Sequence, residues 1–250
     1  MTMQNMIELP SYGVMRTAAA GRDWQRLHAA AIDHQPLART LNAAIPVPAE
    51  QASKRMLDIL GAAALILMLS PLLLAITVLA WLEGGKAFFG HRRIGADGEE
   101  FHCWKFRTMV ANADQVLARL LASDPAARAE WDRDFKLKND PRVTRIGKIL
   151  RTTSLDELPQ LFNVLAGDMS LVGPRPIVAA EVKRYGAAFH DYVRCRPGIT
   201  GVWQVSGRND TGYRQRVHLD QQYARHSTFG GDIAILLRTP VAVLRRSGAY

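Results

Sequence analysis

The sequence predicts a mainly α protein with a small β-hairpin (α+β), and its first long helix is re-entrant in a membrane. Three observations carry that expectation. Residues Ile59 to Leu82 form a run of 24 without a charged side chain. The polar remainder repeats its apolar residues at helical spacing. Only one pair of strand-like runs flanks a turn, Gly95-Ala-Asp-Gly98. With 48% hydrophobic and 22% charged residues, the chain can bury a core, which excludes disorder throughout. Its 32 Lys and Arg against 23 Asp and Glu leave a net charge of +9, which calls for an anionic partner. Two cysteines, Cys103 and Cys195, make neither a disulfide framework nor a zinc pattern.

Residues 1–52 are read as a flexible arm. Glu8, Arg16, Arg22 and Asp23 interrupt any secretory-signal core, and Pro36, Pro46 and Pro48 limit the stretch to one weak helix from Trp24 to Ala44. Residues 53–83 follow as the membrane helix, since a 24-residue apolar run is long enough to cross a bilayer. Ser70-Pro71 sits at its centre, where proline removes a helical hydrogen bond. Lys54 and Arg55 precede the run, and Lys86, Arg92 and Arg93 follow it. A simple span would translocate one of these clusters, against the tendency of basic residues to stay cytoplasmic. A helix that enters, breaks at Ser70-Pro71 and leaves on the same face satisfies both. A proline-kinked span is the alternative.

Beyond residue 83, Lys86–Gly90 and Glu100–Phe106 read as the two hairpin strands. Asn112–Phe135 reads as helical with a break near Ser123-Asp-Pro125, followed by a turn at Asn139-Asp-Pro141. Val143–Arg151 and Leu155–Leu165 are further helices, the second ended by Gly167. Leu171–Ile177 and Arg196–Gly201 read as glycine- and proline-shaped loops, with a helix over Val178–Tyr192 between them. Tyr213–Tyr223 and Ile233–Arg245 are the last helices, the latter amphipathic with Arg238, Arg245 and Arg246 available to lipid headgroups.

The densest polar cluster is Arg151-Thr-Thr-Ser-Leu-Asp-Glu-Leu-Pro159. Ser154 followed by Glu157 fits a capping box. A helix starting at Asp156 instead would place Pro159 in the first turn, where no intrahelical donor is required. Either way Asp156 and Glu157 stand at a helix N-terminus, where the dipole lowers a carboxylate pKa. The pair therefore reads as a cap or as a nucleophile for metal-assisted phosphoryl transfer, and the residues alone leave both open. Lys105-Phe-Arg107, Pro174-Arg-Pro176 and the Arg196–Gly201 loop each offer cations that suit a phosphate. His91, His102, His190 and His218 show no ligand spacing.

In order along the chain stand Lys54-Arg-Met-Leu-Asp58, the apolar run with Ser70-Pro71, Lys105-Phe-Arg-Thr-Met109, Arg151–Glu157, Gly167-Asp-Met-Ser-Leu-Val-Gly-Pro-Arg-Pro176 and Arg196-Pro-Gly-Ile-Thr-Gly201. Together they resemble the bacterial sugar transferase family, the monotopic phosphoglycosyl transferases, over about residues 53 to 250 and in the short, exopolysaccharide-initiating form. The resemblance implies that residues 84–250 form a catalytic domain at the cytoplasmic face of the bacterial inner membrane, with amphipathic interfacial helices. It implies transfer of hexose 1-phosphate, galactose or glucose, from a UDP-hexose to undecaprenyl phosphate with release of UMP. It makes Asp156 the nucleophile and Glu157 its partner, the two of them holding Mg²⁺. Lys105, Arg151 and Arg196 would take phosphates, and Pro174, Arg175 and Pro176 the uridine nucleotide. The implied partners are these substrates and inner-membrane lipid, with a homo-oligomer compatible. Nucleic acid is not among them, because no nucleic-acid motif accompanies the charge.

Overall fold

In the computed structural model of the chain, residues 49–134, 137–206 and 212–244 are described. The expected arm, apart from its last residues, and the terminal cations Arg245 and Arg246 lie outside them. Helix α1 spans Ala49–Leu82. It is 34 residues long, so it rises about 51 Å at 1.5 Å per residue. Its stretch Ala52–Leu82 is long and apolar enough to cross a membrane. Helical structure continues on both sides of the expected break at Ser70-Pro71, and Pro71 has no N–H to give the Leu67 carbonyl one turn back. Ser70 turns its hydroxyl back to the Leu67 carbonyl at 2.8 Å, and both Ser70 and Pro71 face outward. A proline at an exposed position removes one bond without forcing a buried group to go unpaired, and membrane helices tolerate that.

Strands β1 (Phe88–Ile94) and β2 (Glu100–Phe106) pair antiparallel. The turn between them uses Asp97 at φ 57° and Gly98 at φ 78°, as a tight reversal demands. Helices α2 (Ala113–Ser123) and α3 (Pro125–Asp134) reproduce the break expected at Ser123-Asp-Pro125. Helix α4 (Arg145–Thr153) is capped by the Thr144 hydroxyl, which accepts from the Gly147 N–H at 2.9 Å. Gly147 is required there, since a Cβ would come within 2.1 Å of the Thr108 carbonyl oxygen.

The expected helix over Leu155–Leu165 resolves into two pieces: a 3-10 turn at Leu155–Glu157 and helix α5 at Gln160–Ala166. Ser154 ends α4 in the left-handed region at φ 58°, a conformation that costs a non-glycine residue about 1 kcal/mol or more. Its side chain makes no capping bond, so the capping-box reading fails. Buried Asn163 of α5 accepts from the Trp104 N–H and donates to the His102 carbonyl and to Asp168, which ties α5 to β2.

A second sheet was not expected from the sequence. Strands β3 (Ser170–Val172) and β4 (Gly198–Thr200) pair in parallel, inside the two segments read as loops. A Cβ on Gly198 would lie 2.1 Å from the Gly173 nitrogen, so the approach of these backbones depends on glycine. Between them the expected helix over Val178–Tyr192 is fragmented into 3-10 turns and the short helices α6 (Val182–Tyr185) and α7 (Phe189–Tyr192), interrupted where Gly186 adopts φ 53°. Helices α8 (Val202–Val205), α9 (Tyr213–His226) and α10 (Phe229–Leu244) complete the chain.

Both halves of α1 pack on this domain. Near its start, buried Asp58 accepts from the Ser170 hydroxyl at 2.9 Å and the Leu171 N–H at 2.8 Å. Arg55 donates to the carbonyls of Val164 and Leu165. Toward its end, Leu73 and Ile76 share a core with Phe106 and Leu150, and Arg107 donates to the Ala80 carbonyl at 2.9 Å. The remaining surface of α1 exposes Leu60, Leu67, Met68, Leu74 and Leu82, each more than 60% accessible. Leu237 and Val241 of α10 are exposed as well. Large apolar surfaces of this extent mark a membrane or partner contact.

Candidate active site

Register decides which hairpin residues meet. Phe89 pairs with Lys105, His91 with Cys103 and Arg93 with Phe101, so these six side chains share one face. That face forms one wall of a cleft where Arg93, Cys103 and Lys105 meet Glu157 and Gln160. Arg175, Pro176 and Gln204 line the opposite part. Three cations therefore surround one carboxylate.

Lys105 donates to Glu157 Oε1 at 2.6 Å, across 52 residues of sequence. Burial works to raise the Glu157 pKa, but the charges of Lys105 and Arg175, the Lys105 hydrogen bond and the charge of Arg93 outweigh it. Glu157 thus titrates below its usual range and stays ionised. Asp156 behaves oppositely. Burial, then the adjacent Glu157 charge, push it up to about 6, against the charges of Lys105 and Arg151. This corrects the expectation that a helix dipole would depress it, because the 3-10 turn offers no long helix behind the carboxylate.

The sequence-predicted residues separate into three groups. Lys105, Glu157, Arg175 and Pro176 line the cleft. Asp156 and Arg151 stand beside it, with Arg151 oriented by its Nε bond to the Thr108 hydroxyl at 2.9 Å. Pro174 is buried behind Arg175, and its carbonyl accepts from the Gly198 N–H at 2.8 Å. Arg196 is the exception. It is exposed, and its Nε donates to the Gly167 carbonyl at 2.8 Å at the C-terminal end of α5, outside the cleft. Its guanidinium satisfies carbonyl groups that a helix end leaves open.

The sequence reading assigns none of Arg93, Cys103, Gln160 and Gln204 to the site, although all four line the cleft. Arg93 counted only as a basic flank of the apolar run, yet it donates to the Pro176 carbonyl at 3.1 Å and lies 3.9 Å from Glu181. Burial, then the Arg175 charge, lower its pKa. Counting back in steps of two from Lys105 across the hairpin turn would have found it. Gln204 follows Trp203 in α8, and nothing in its spacing marks it. His91 is held neutral, pushed down to about 4 by burial and then by Arg93 and Lys105. Burial raises the Cys103 thiol to about 11, so it is a poor nucleophile at neutral pH.

Among the described residues, no group of three or more His, Cys, Asp or Glu side chains gathers that could hold a metal ion. The adjacent Asp156 and Glu157 supply hard oxygen donors only. That set fits Mg²⁺, which takes one or two carboxylates and completes its shell with water and substrate phosphates.

Comparison with known proteins identifies the family. The family model described as Bacterial sugar transferase matches residues 49–246. The chain is 54% identical over 197 residues to an undecaprenyl-phosphate galactose phosphotransferase of Salmonella typhimurium, covering 79% of this chain and 41% of that protein. It is 48% identical over 199 residues to the exopolysaccharide production protein ExoY of Rhizobium meliloti, covering 79% and 88%. Against a UDP-glucose:undecaprenyl-phosphate glucose-1-phosphate transferase of Caulobacter vibrioides, identity is 40% over 222 residues, covering 84% and 78%. The chain spans about two fifths of the length of the first of these relatives. Since the matched region holds the hairpin, the Asp156-Glu157 turn and the Arg175 loop alike, this chain belongs to the bacterial sugar transferase family.

Proposed function

We propose that this chain transfers hexose 1-phosphate from a UDP-hexose to undecaprenyl phosphate and releases UMP, as a first membrane step of exopolysaccharide synthesis. The observation that carries the reading is the Glu157–Lys105 pair beside Asp156 in a cation-lined cleft. A donor diphosphate is an anion that Arg93, Lys105 and Arg175 can neutralise. An Asp156 oxygen attacks the sugar-linked phosphorus, and the bond to the bridging oxygen breaks. UMP leaves with that electron pair, and a phosphosugar-aspartate remains. An oxygen of the lipid phosphate then attacks the same phosphorus and returns the Asp156 carboxylate. Glu157 remains ionised beside Lys105 throughout, and Arg151 faces the charge that develops near Asp156. Mg²⁺ held by Asp156 and Glu157 would supply further neutralisation of that charge. The reading is tested by incubation with undecaprenyl phosphate and a panel of UDP-sugars while UMP release is followed. UDP-galactose or UDP-glucose should be turned over, and no UMP with either would overturn it.

We propose also that α1 enters and leaves the membrane on the cytoplasmic face. A helix crossing the bilayer could not fasten both Asp58 and Ala80 to one domain, since that domain would have to lie on both sides. Single cysteines introduced at Ala52 and Glu99 should label with a membrane-impermeant maleimide equally, and only from the cytoplasmic face. Opposite-sided labelling would show a span.

A further inference from the structure

The Arg175 guanidinium has five N–H donors, yet among the described residues it makes no hydrogen bond and no ion pair. What holds it is a ring. Its Cζ lies 5.5 Å from the Trp203 ring centroid. Trp203 also takes Arg216 at 5.2 Å, Arg216 stands 5.3 Å from the Tyr213 ring, and Arg184 lies 3.6 Å from the same ring. Guanidinium and aromatic groups therefore alternate from Arg175 through Trp203, Arg216 and Tyr213 to Arg184. The inner cation is balanced by Glu181 at 3.7 Å and Asp220 at 4.0 Å, which fixes the middle of the ladder. Trp203 is 5% exposed and does not line the cleft, whereas Arg175 does.

We infer that Trp203 is a positioning residue for donor binding: its ring face holds Arg175 with its donors free for the nucleotide anion. A salt bridge would fix Arg175 equally well but would neutralise it. A ring face fixes the plane of the guanidinium and leaves its hydrogen-bonding edge unengaged. The two prolines flanking Arg175 are buried, so the backbone of the loop is fixed independently and the ring acts on the side chain.

This inference rests on the reading of Arg175 as a donor-binding residue, and a double-mutant cycle separates the two. UDP binding to detergent-solubilised protein is measured by calorimetry, together with KM and kcat for the UDP-hexose. R175A should weaken UDP binding roughly tenfold, and W203L should do nearly the same, with KM raised and kcat less affected. In the R175A background, W203L should add less than about twofold, because the group it positions is already gone. Unchanged affinity in R175A would overturn the reading of Arg175 and this inference with it. Weakened R175A with wild-type affinity in W203L, or losses that add in the double variant, would overturn the role of Trp203 alone. Should W203L fail to fold, W203F runs the same cycle. It keeps a weaker ring face, so a loss of about threefold is expected that vanishes beside R175A.

Discussion

Asp156→Asn should abolish turnover while leaving the fold intact. Asparagine keeps the shape and one carbonyl oxygen of the side chain but cannot attack phosphorus. Loss of a covalent nucleophile lowers kcat by about 10⁴-fold or more. The side chain serves no helix cap, and the turn it occupies is set by Ser154 at φ 58° and by Pro159, so neither depends on the charge. Wild-type protein given donor alone should gain one hexose phosphate in mass and release a single equivalent of UMP before any lipid is added. Glu157→Gln provides the contrast. It breaks the ion pair with Lys105, and turnover should fall without the adduct vanishing. If Asp156→Asn retains a substantial share of wild-type turnover, or no adduct forms on rapid quenching, direct attack by the lipid phosphate becomes the better account.

How the sequence points to that aspartate shows where local pattern suffices and where it stops. The apolar run and the β1–β2 hairpin rest on contacts within one segment, so composition and period reveal them. The Ser154–Glu157 spacing matches a capping box, yet Glu157 belongs to Lys105 on a strand 52 residues earlier, and that ion pair prevails over the local bond. The β3–β4 sheet is equally hidden. Each strand has three residues, and what joins them are backbone hydrogen bonds from Ser170 to Pro197 and from Gly173 to Thr200, in segments that read in sequence as two loops. Arg93 reaches the cleft through the hairpin register, and Arg196 is drawn to the Gly167 carbonyl at the end of α5. Residue identity suggests a cation for phosphate; which cation reaches the cleft is decided by tertiary packing.

Lys54→Met should destabilise the domain although Lys54 lies far from the chemistry in sequence. Its ammonium donates to Asp232 at 2.6 Å, to the Tyr223 hydroxyl at 3.1 Å and to the Val172 carbonyl at 2.9 Å. Asp232 is 1% exposed, so removing Lys54 takes a close cation from a buried carboxylate that keeps the Tyr223 hydroxyl at 2.8 Å. Breaking a buried pair from one side costs about 3–5 kcal/mol, and the lower end applies because 26% of the Lys54 side chain still meets solvent. About 3 kcal/mol corresponds to a fall of roughly 6–12 °C in Tm for a domain of this size. Asp232→Asn should restore most of that loss in the Lys54→Met background, since the buried charge is gone and an acceptor for Tyr223 remains. The network joins α1 to β3, α9 and α10 together, so the single variant should also loosen the start of α1. Hydrogen exchange at residues 54–58 should accelerate in Lys54→Met and recover in the double variant. If Lys54 serves only to meet lipid headgroups, the single variant keeps its Tm in detergent and the second substitution rescues nothing.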